Sequence, residues 1–433
     1  MKVNDIIEVN FFDIDYNFNG VGKYENYIVF SRYVLPNETW NIKIKSINKN
    51  IIQGLPIKPL ELSKERINQI CPNFPKCGGC DSLHLDYDNQ INYKLNYLKE
   101  TLKKVGNITN DIDKIIKSDN QYYYRNKVQM PFNDNTYGFY ESNTNNIIKT
   151  NNCFIHFKIN NDIYNDISNL LINNPLDLRH IVIRNSYYYQ DIMIIFILRK
   201  KQDIKNIITP LLNKYQNIKS IYININNTNS NVIFGDKEYL IYGEKTIKDK
   251  ILNLDYLISP KSFFQINNLQ TEKLYQEAIN LANLSKNNNV IDAYCGIGTI
   301  SLSLSKYVNK VYGIEIVEDA IKDANKNKVL NNINNVDFIL GKSEDVIPNL
   351  LKYNKIDILF VDPPRKGLDS KLVNTILNNH INKIIYISCN PATLARDLKL
   401  LSNNYNINNI TMVDMFPNTK HVESVVLMSR GDK

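Results

Sequence analysis

The stretch that decides the fold is VIDAYCGIGT, residues 290–299, which reads as an apolar strand followed by a turn with two glycines. Further short apolar runs follow, each succeeded by a segment of helical length: 311–315, 336–340, 356–361 and 383–388. Strict alternation of strand and helix predicts an α/β domain with a parallel sheet covered on both faces. Ligands of such a sheet bind at the carboxyl ends of its strands.

The glycine turn and an acidic residue at the end of the next strand predict a cofactor site. Glycines let the backbone approach a ligand closely, and the carboxylate of Glu315, about 20 residues further on, suits a ribose diol. The turn lacks the G-x-G-x-x-G spacing and no P-loop lysine follows, which disfavours dinucleotide or ATP phosphates. The pattern fits S-adenosylmethionine. The alternative is a plain strand-to-helix turn with Glu315 in solvent.

The fourth strand of the series ends in FVDPPRKG, residues 360–367. The two prolines fix the turn and donate no hydrogen bonds, so Asp362 is held at the sheet edge beside the cofactor. Many enzymes that methylate exocyclic amines of bases have an aromatic residue after the two prolines, whereas this chain has Arg365. That difference argues against methylation of an exocyclic amine.

The fifth strand ends in ISCNP, residues 387–391, which brings a thiol to the same edge. We expect the following helix, Arg365 and Arg396 to lower the pKa of Cys389 and to make it a nucleophile. The alternative is a small buried core cysteine, the ordinary state of a lone Cys.

A thiol beside a methyl donor suits methylation at carbon 5 of uracil. That carbon is a poor nucleophile until a thiolate adds to carbon 6, and the resulting adduct then needs a base to remove the carbon 5 proton. The last apolar run, 425–428, follows His421 and Glu423. Glu423 is the predicted base and His421 a weaker candidate, while either could instead be a plain surface or core residue.

Four of the six cysteines have the spacing of a tetrathiolate site. Cys71, Cys77 and Cys80 are clustered, and Cys153 is distant. Such a set binds zinc or an iron-sulfur cluster, and the spacing alone leaves the metal open. Cys295, in the glycine turn, is expected to be a packing residue.

Taken together, these motifs closely resemble the RNA uracil-5-methyltransferase family over almost the whole chain. The matching stretches are SFFQIN at 262–267, DAYCGIGT at 292–299, VDPPRKG at 361–367, ISCNP at 387–391 and DMFPNTKHVE at 414–423. The resemblance implies Cys389 as nucleophile and Glu423 as base. It also implies that four residues line the cofactor and target pocket: Gln265, Tyr294, Glu315 and Asp362. The reasoning from the residues gives no separate ground for Gln265.

The run CPNFPKCGGC, residues 71–80, resembles the cluster motif of the ribosomal RNA branch of that family. This implies a 4Fe-4S cluster on Cys71, Cys77, Cys80 and Cys153, with a folding or RNA-shaping role. Residues 1–57 resemble a TRAM domain, an OB-like RNA-binding barrel. The tRNA-modifying branch typically lacks both features, so their presence favours 23S ribosomal RNA as the substrate. The stretch 138–148 departs from the family pattern, which leaves the target-recognition surface undefined.

These observations predict three domains. Residues 1–57 read as short alternating strands of a small antiparallel OB-like barrel. Residues 58–255 hold the cysteine cluster and a central α+β RNA-binding domain, with an amphipathic helix at 88–105 that we expect to pack on the catalytic domain. Residues 256–433 form a Rossmann-like methyltransferase domain, a parallel sheet with an antiparallel last strand.

Composition excludes several classes of protein. The longest apolar run, 192–198, is far shorter than the ~20 residues of a membrane span, and the N-terminus does not resemble a signal peptide. Six cysteines in 433 residues are too few for a disulfide scaffold. We therefore expect a cytoplasmic monomer with no membrane partner. The net charge of +8 permits a polyanionic partner without requiring one.

Three other functions remain open at this stage. A tRNA uridine-5-methyltransferase would share the chemistry. A radical methylthiotransferase also combines a TRAM-like barrel, an iron-sulfur cluster and S-adenosylmethionine, but the five-residue gap after Cys71 and the thiol of Cys389 argue against it. A non-catalytic RNA-binding protein on the same scaffold would not need both Cys389 and Glu423. Candidate phosphate contacts on RNA are Arg125, Lys127, Lys366 and the run 199–201.

Overall fold

The computed structural model describes residues 1–133 and 136–431. Five N-terminal strands close into a barrel in the order β1-β2-β3-β5-β4. They are β1 Ile6–Ile14, β2 Asn19–Tyr24, β3 Tyr27–Arg32, β4 Glu38–Asn48 and β5 Ile51–Glu61. Alternate side chains fill the interior, among them Phe11, Val29 and Ile42. The predicted OB-like barrel is confirmed, although β3 and β5 pair in parallel and the last strand runs to Glu61 rather than ending at 57.

A helix and a short strand follow the barrel: α1 Tyr87–Gly106 and β6 Lys114–Ile116. The central α+β part then contains β7 Lys127–Asn133, β8 Thr136–Tyr140, β9 Ile147–Lys149, α2 Lys158–Asn173, β10 Leu178–Asn185, β11 Ile192–Leu198, α3 Lys205–Lys214, β12 Ile218–Ile225 and β13 Lys237–Gly243. Its strands form one sheet in the order β13-β12-β11-β10-β7-β8-β9. The long apolar run at 192–198 is the fully buried strand β11.

The C-terminal part begins with a hairpin and continues as alternating helices and strands. Its elements are β14 Ile247–Ile251, β15 Leu254–Ile258, α4 Asn268–Ala282, β16 Asn289–Ala293, α5 Thr299–Ser305, β17 Lys310–Glu315, α6 Glu318–Leu330, β18 Val336–Leu340, α7 Ser343–Tyr353, β19 Ile358–Val361, α8 Ser370–Asn378, β20 Lys383–Ser388, α9 Pro391–Leu401, β21 Tyr405–Val413 and β22 Glu423–Arg430. The last two residues of the predicted domain 256–433 lie outside the described residues.

The sheet of this part has the order β18-β17-β16-β19-β20-β22-β21-β6. Strands β16 to β20 run parallel to their neighbours, and β22 lies antiparallel to β20. The predicted methyltransferase-like sheet with an antiparallel last strand is therefore confirmed. Because β17 and β19 flank β16 on opposite sides, a crevice opens at the carboxyl ends of these strands, where such sheets bind ligands.

Helix α1 and strand β6 precede the central sheet in sequence but pack with the C-terminal part of the chain. Strand β6 pairs in parallel with β21, and Leu98 and Leu102 of α1 are buried in one core with Leu394 and Leu398 of α9. The helix expected at 88–105 thus packs on the C-terminal part through its apolar face. In the described residues, no helix is long and apolar enough to cross a membrane.

Candidate active site and cysteine pocket

The register of the sheet brings three of the predicted cofactor residues to one edge. Ala293 of β16 pairs with Ile314 of β17 and with Val361 of β19. The residues that come next along these three strands are Tyr294, Glu315 and Asp362, and all three are partly exposed at the sheet edge. The motifs that are up to 70 residues apart in sequence therefore line a single crevice.

Glu315 and the glycine turn form a small polar cradle. One carboxylate oxygen of Glu315, Oε2, accepts a hydrogen bond from the N–H of Gly296 at 3.2 Å, and the other accepts from Val317 N–H at 2.9 Å. Gly296 has φ +55°, and no described atom lies within 4 Å of the position that a Cβ would occupy. The turn therefore leaves room for a ligand directly beside Glu315.

Gly298 serves a different purpose in the same turn. Its φ is +88°, and a Cβ there would lie 2.7 Å from Cζ of Phe338. Only glycine meets both the left-handed backbone and this close approach, so Gly298 fixes how the turn packs on the sheet.

Gln265 lies in the segment that leads into α4. Its side chain is partly exposed, and its carbonyl oxygen accepts a hydrogen bond from Nδ2 of Asn126 at 3.0 Å. The N–H of Asn126 also donates to the carbonyl of Ile266 at 2.8 Å. The central part of the chain thus holds the backbone that carries Gln265. No signal in the sequence pointed to Asn126, which lies between the candidate phosphate contacts Arg125 and Lys127.

Cys389 and Glu423 face each other at the ends of two antiparallel strands. Ser388 of β20 pairs with Ser424 of β22, and the next residues in this register are Cys389 and Glu423. Cys389 is partly exposed, and Glu423 is 7% exposed. The thiol and the carboxyl group are therefore neighbours at the same edge as Asp362.

The expected lowering of the pKa of Cys389 is wrong. Burial, followed by the charges of Glu423 and Asp362, raises this pKa to about 11, although Arg365 opposes them. Arg396 was expected to help, but its guanidinium donates to Asp397 and to the carbonyls of Lys366 and Leu368 instead. The resting site therefore holds a protonated thiol.

The pKa values of the two carboxyl groups of the site are raised as well. Burial, followed by the charge of Asp292, raises the pKa of Asp362 to about 7. Burial and the charge of Asp362 raise the pKa of Glu423 well above its usual value, and Arg365 lowers it. These acids repel one another when ionised, so the crevice favours a cationic ligand such as a sulfonium.

Asp292, which the sequence reasoning quoted without a role, lies under the crevice. It is fully buried and accepts a hydrogen bond from Oγ of Ser301 at 2.5 Å. Its Oδ1 has no hydrogen-bond partner among the described atoms. Burial raises the pKa of Asp292 to about 6, so it is a further acid that a bound cation would help to ionise.

His421 is a neutral neighbour of the site. Burial, followed by the charge of Arg365, lowers its pKa to about 4. Its Nε2 lies 3.5 Å from Nη2 of Arg365. Since the imidazole is neutral at physiological pH, His421 can accept a hydrogen bond from Arg365 and does not add a second positive charge.

The four predicted metal ligands come together around one pocket. Its walls include Phe74, Leu83 and Phe139 and all four thiols: Cys71, Cys77, Cys80 and Cys153. All four are free cysteines. Burial and then the charges of the other three thiols raise the pKa of Cys80. In residues 1–133 and 136–431, no group of three or more His, Cys, Asp or Glu side chains is arranged to hold a metal ion.

Two arginines beside this pocket have unsatisfied hydrogen-bond donors. Nη2 of Arg32 donates to the carbonyls of Cys77 and Cys80 at 3.1 and 2.7 Å. Nη1 of Arg32 and Nε of Arg125 are buried and have no hydrogen-bond partner in the described part of the chain. Buried donors without acceptors are costly. An anionic group with several acceptor atoms, held by the thiols, would fit this environment.

The candidate phosphate contacts differ in accessibility. Lys366 is exposed at the mouth of the crevice. Lys127 is partly buried with its ammonium 5.7 Å from the ring of Phe234, and burial lowers its pKa well below the usual value. Arg199 pairs with Asp177 at 3.7 Å. Lys366 is therefore more accessible than Lys127, and it follows Asp362 closely at the carboxyl edge of the sheet.

Comparison with known proteins adds independent findings. A family model described as tRNA (uracil-5-)-methyltransferase matches residues 86–431. A protein of Bacillus cereus described as an uncharacterized RNA methyltransferase is 39% identical, over 100% of this chain and 98% of its own length. A relative from Clostridium acetobutylicum with the same description is also 39% identical, over 100% of this chain and 99% of its own length.

A solved structure resembles almost the whole chain. It is the tRNA (uracil-54, C5)-methyltransferase of Pyrococcus abyssi in complex with S-adenosyl-L-homocysteine. The two chains are 25% identical, with a TM-score of 0.78, and the match covers 98% of this chain and 100% of the other. Coverage this complete includes the barrel and the cysteine segment as well as the methyltransferase-like sheet.

Proposed function

The chain belongs to the tRNA (uracil-5-)-methyltransferase family, and from that premise we propose that it methylates carbon 5 of a uridine in 23S ribosomal RNA through a covalent adduct with Cys389. Membership makes the protein an S-adenosylmethionine-dependent RNA (uracil-5-)-methyltransferase. The covalent adduct, the roles of individual residues and the ribosomal substrate are the proposed part.

One observation carries the chemistry: Cys389 and Glu423 share the register position next to the antiparallel pair Ser388 and Ser424 at the edge of the sheet. Cys389 gives its proton to water at the open side of the site, and its sulfur forms a bond to carbon 6 of uracil. The electron pair that this addition delivers to carbon 5 forms the new bond to the methyl group, while the bond between that methyl group and the sulfonium sulfur of S-adenosylmethionine breaks and S-adenosylhomocysteine leaves. Glu423 as carboxylate then takes the carbon 5 proton, the bond between sulfur and carbon 6 breaks, and the thiolate is restored.

S-adenosylmethionine is the substrate that supplies an electrophilic methyl group. We assign its binding to Gln265, Tyr294, Glu315 and Asp362. The cradle of Glu315 and Gly296 suits hydroxyl groups, because it combines a carboxylate with room for a ligand. The raised pKa of Asp362 fits a site that awaits a cation. Binding of the sulfonium favours ionisation of both carboxyl groups and of the Cys389 thiol, so the bound methyl donor increases the fraction of protein in the reactive state.

We propose that Cys71, Cys77, Cys80 and Cys153 hold a 4Fe-4S cluster. The shared pocket and the unsatisfied donors of Arg32 and Arg125 support an anionic group there. A cluster would join the segment 71–80 to Cys153 and would shape the surrounding loops. Iron and acid-labile sulfide analysis of protein purified without oxygen tests this, with about four of each per chain expected. One zinc per chain, or no metal, would contradict it.

We propose a separate role for each predicted domain. Residues 1–57 and 58–255 bind RNA, and residues 256–433 carry out the chemistry. The target base must leave its stack before Cys389 can reach carbon 6. We expect the enzyme to act as a monomer in the cytoplasm, where a reducing environment keeps its thiols free.

A second candidate substrate is tRNA. The matched archaeal protein is a tRNA enzyme, and the match covers 98% of this chain. A barrel and a cysteine segment therefore do not by themselves select ribosomal RNA. Methyl transfer from labelled S-adenosylmethionine to purified 23S rRNA and to total tRNA, both lacking 5-methyluridine, decides between them. Labelling of tRNA alone would overturn the ribosomal assignment and leave the chemistry unchanged.

The covalent step has its own test. RNA with 5-fluorouridine at the target position blocks the final proton removal, so wild-type protein with S-adenosylmethionine should form an adduct that survives denaturation. Cys389→Ala should form none. Glu423→Gln should accumulate a methylated adduct with natural RNA. Adduct formation by Cys389→Ala would contradict the assignment of the nucleophile.

A further inference from the structure

The segment between β21 and β22 leads directly into Glu423 and is held by an asparagine. Asn418 is 1% exposed and has the left-handed backbone angle φ +64°. Only four residues lie between it and Glu423 in sequence. The position of Asn418 therefore constrains where β22 begins.

All four polar groups of Asn418 are hydrogen-bonded. Its N–H donates to Oε1 of Gln90 at 3.0 Å, and its Oδ1 accepts from Nε2 of Gln90 at 3.1 Å. Its Nδ2 donates to the carbonyl of Gln121 at 2.8 Å. Its own carbonyl accepts from the N–H groups of Asp81 and Ser82 at 2.9 and 3.3 Å. A buried residue with this many partners has little freedom to move.

A second hydrogen bond joins the cysteine segment to the segment between β21 and β22. The carboxylate Oδ2 of Asp81 accepts a hydrogen bond from the N–H of Lys420 at 3.0 Å. Asp81 directly follows Cys80, one of the four thiols of the cysteine pocket. The hydrogen bonds from residues 81–90 thus connect the cysteine segment to residues 418–420, immediately before the proposed base.

Hydrogen bonds from other parts of the chain hold the first half of this segment, residues 414–417. Nδ2 of Asn267 donates to the carbonyl of Met415 at 2.9 Å, and the hydroxyl of Tyr124 donates to the carbonyl of Pro417 at 2.9 Å. Loss of the Asn418 contacts would therefore leave residues 414–417 in place. The part that would loosen is the stretch from Asn418 to Glu423.

We propose that Asn418 is a positioning residue that sets the place of Glu423 and links it to the segment that carries Cys80. The inference rests on the proposed function, in which Glu423 removes the carbon 5 proton. Cys389 directly follows the other strand, β20, and does not depend on this link. Disturbing Asn418 should therefore slow release of the methylated product and spare formation of the covalent adduct.

The variant Asn418→Gly isolates the side chain, because glycine accepts a positive φ and keeps the three backbone hydrogen bonds. We expect the rate of adduct formation with 5-fluorouridine RNA to stay within about twofold of wild type. Turnover on natural RNA should fall by about tenfold to hundredfold, the range that a small misplacement of a reacting group costs. A methylated adduct should accumulate on natural RNA, as for Glu423→Gln.

The matched control is Asn332→Gly, at an exposed asparagine with φ +53° in the same part of the chain. It should leave both rates unchanged.

A second pair of variants tests the link to the cysteine segment. Asp81→Ala should reproduce the split between adduct formation and turnover, and Asp81→Asn, which keeps an acceptor oxygen for Lys420, should restore turnover.

The outcomes separate the possibilities. Equal loss of both rates in Asn418→Gly would mean a structural role only and would overturn the proposal, as would unchanged turnover. A wild-type protein that methylates RNA but forms no adduct with 5-fluorouridine RNA would refute the covalent mechanism itself, and this positioning role with it. If turnover fell without loss of adduct formation in Asn418→Gly but not in Asp81→Ala, the cysteine segment would have no part in positioning Glu423.

Discussion

The ammonium group of Lys94 lies 2.7 Å from Oδ1 of Asp414, and both side chains are at most 1% exposed. Lys94 is on α1, and Asp414 directly follows β21. The pair is completed by a hydrogen bond from the hydroxyl of Tyr87 to Oδ2 of Asp414 at 2.8 Å and by one from Lys94 to the carbonyl of Phe416. This buried ion pair therefore fastens the helix to the start of the segment that leads to Glu423.

We predict that Lys94→Ala lowers the free energy of unfolding by about 3–5 kcal/mol, because it leaves the carboxylate of Asp414 buried without its partner. Urea denaturation monitored by far-UV circular dichroism measures this free energy. The matched control is Lys104→Ala on the same helix, whose pairing with Glu100 is exposed and should contribute about 0–1 kcal/mol. Equal effects of the two substitutions would show that burial of the pair does not matter.

The electrostatics of the site predict the pH dependence of Cys389. The thiolate is the reactive form, and the pKa of the thiol is raised to about 11. Alkylation of Cys389 by iodoacetamide in the free protein should therefore increase about tenfold for each pH unit between pH 7 and pH 9. Mass spectrometry of the peptide that contains Cys389 measures the rate without interference from the other thiols.

Glu423→Gln should make this alkylation faster at pH 9. The carboxylate of Glu423 raises the pKa of Cys389, and glutamine removes that charge while it preserves the size of the side chain. The pKa of Cys389 should fall, which increases the thiolate fraction. Glu100→Gln, at an exposed position on α1, should have no effect. A slower reaction in Glu423→Gln would show that the charge of Glu423 does not act on the thiol.

The two glycines of the turn should respond differently to alanine. Gly298→Ala introduces a Cβ 2.7 Å from Phe338 at φ +88°, which should lower the free energy of unfolding by about 1–3 kcal/mol. Gly296→Ala meets no described atom within 4 Å and should cost about 1–2 kcal/mol for its left-handed backbone alone. It should instead weaken binding of S-adenosylmethionine, because the new methyl group enters the space beside Glu315.

Calorimetric titration with S-adenosylmethionine and thermal unfolding of both variants separate these effects. The ratio of the dissociation constant to that of wild type should be larger for Gly296→Ala, and the loss of stability larger for Gly298→Ala. Reversal of the order would mean that the ligand does not occupy the space beside Gly296.

The strand pattern of the C-terminal half could be predicted because each strand is a short apolar run with a motif at its end. Once the strands are parallel neighbours, their register brings Glu315 and Asp362 together without further information. The pairing of Glu423 with Cys389 needed one more step, the antiparallel placement of β22 beside β20. The apolar run at 425–428 indicates a strand, and the reversal follows from the sheet type.

Other features depend on burial and on contacts between distant segments, which a sequence pattern does not contain. The sign of the pKa shift of Cys389 was mispredicted because burial, its largest cause, is not visible in sequence, and because the charges of Glu423 and Asp362 outweigh that of Arg365. The contact from Asn126 to the carbonyl of Gln265 spans 139 residues. Strand β6 is only three residues long, too short for a periodic signal, so its place in the catalytic sheet was not foreseen.

Lys366 and Lys127 should differ in how they affect RNA binding. Lys366 is exposed at the mouth of the crevice, whereas Lys127 is partly buried and burial lowers its pKa well below the usual value. A lysine that neutralises a phosphate releases a counterion, which makes the affinity depend on salt. Lys366→Ala should therefore reduce the steepness of log K against log salt by about 0.7, and Lys127→Ala should not change it.

Titration of the protein with a uridine-containing RNA at several salt concentrations measures these slopes. The control is Lys355→Ala, at an 84% exposed lysine before β19, on the edge of the sheet opposite to the crevice. If RNA crosses the carboxyl edge, Lys355→Ala leaves the slope unchanged although it removes the same charge. An equal change in Lys366→Ala and Lys355→Ala would mean that only the net charge of +8 attracts RNA, and that Lys366 makes no specific phosphate contact.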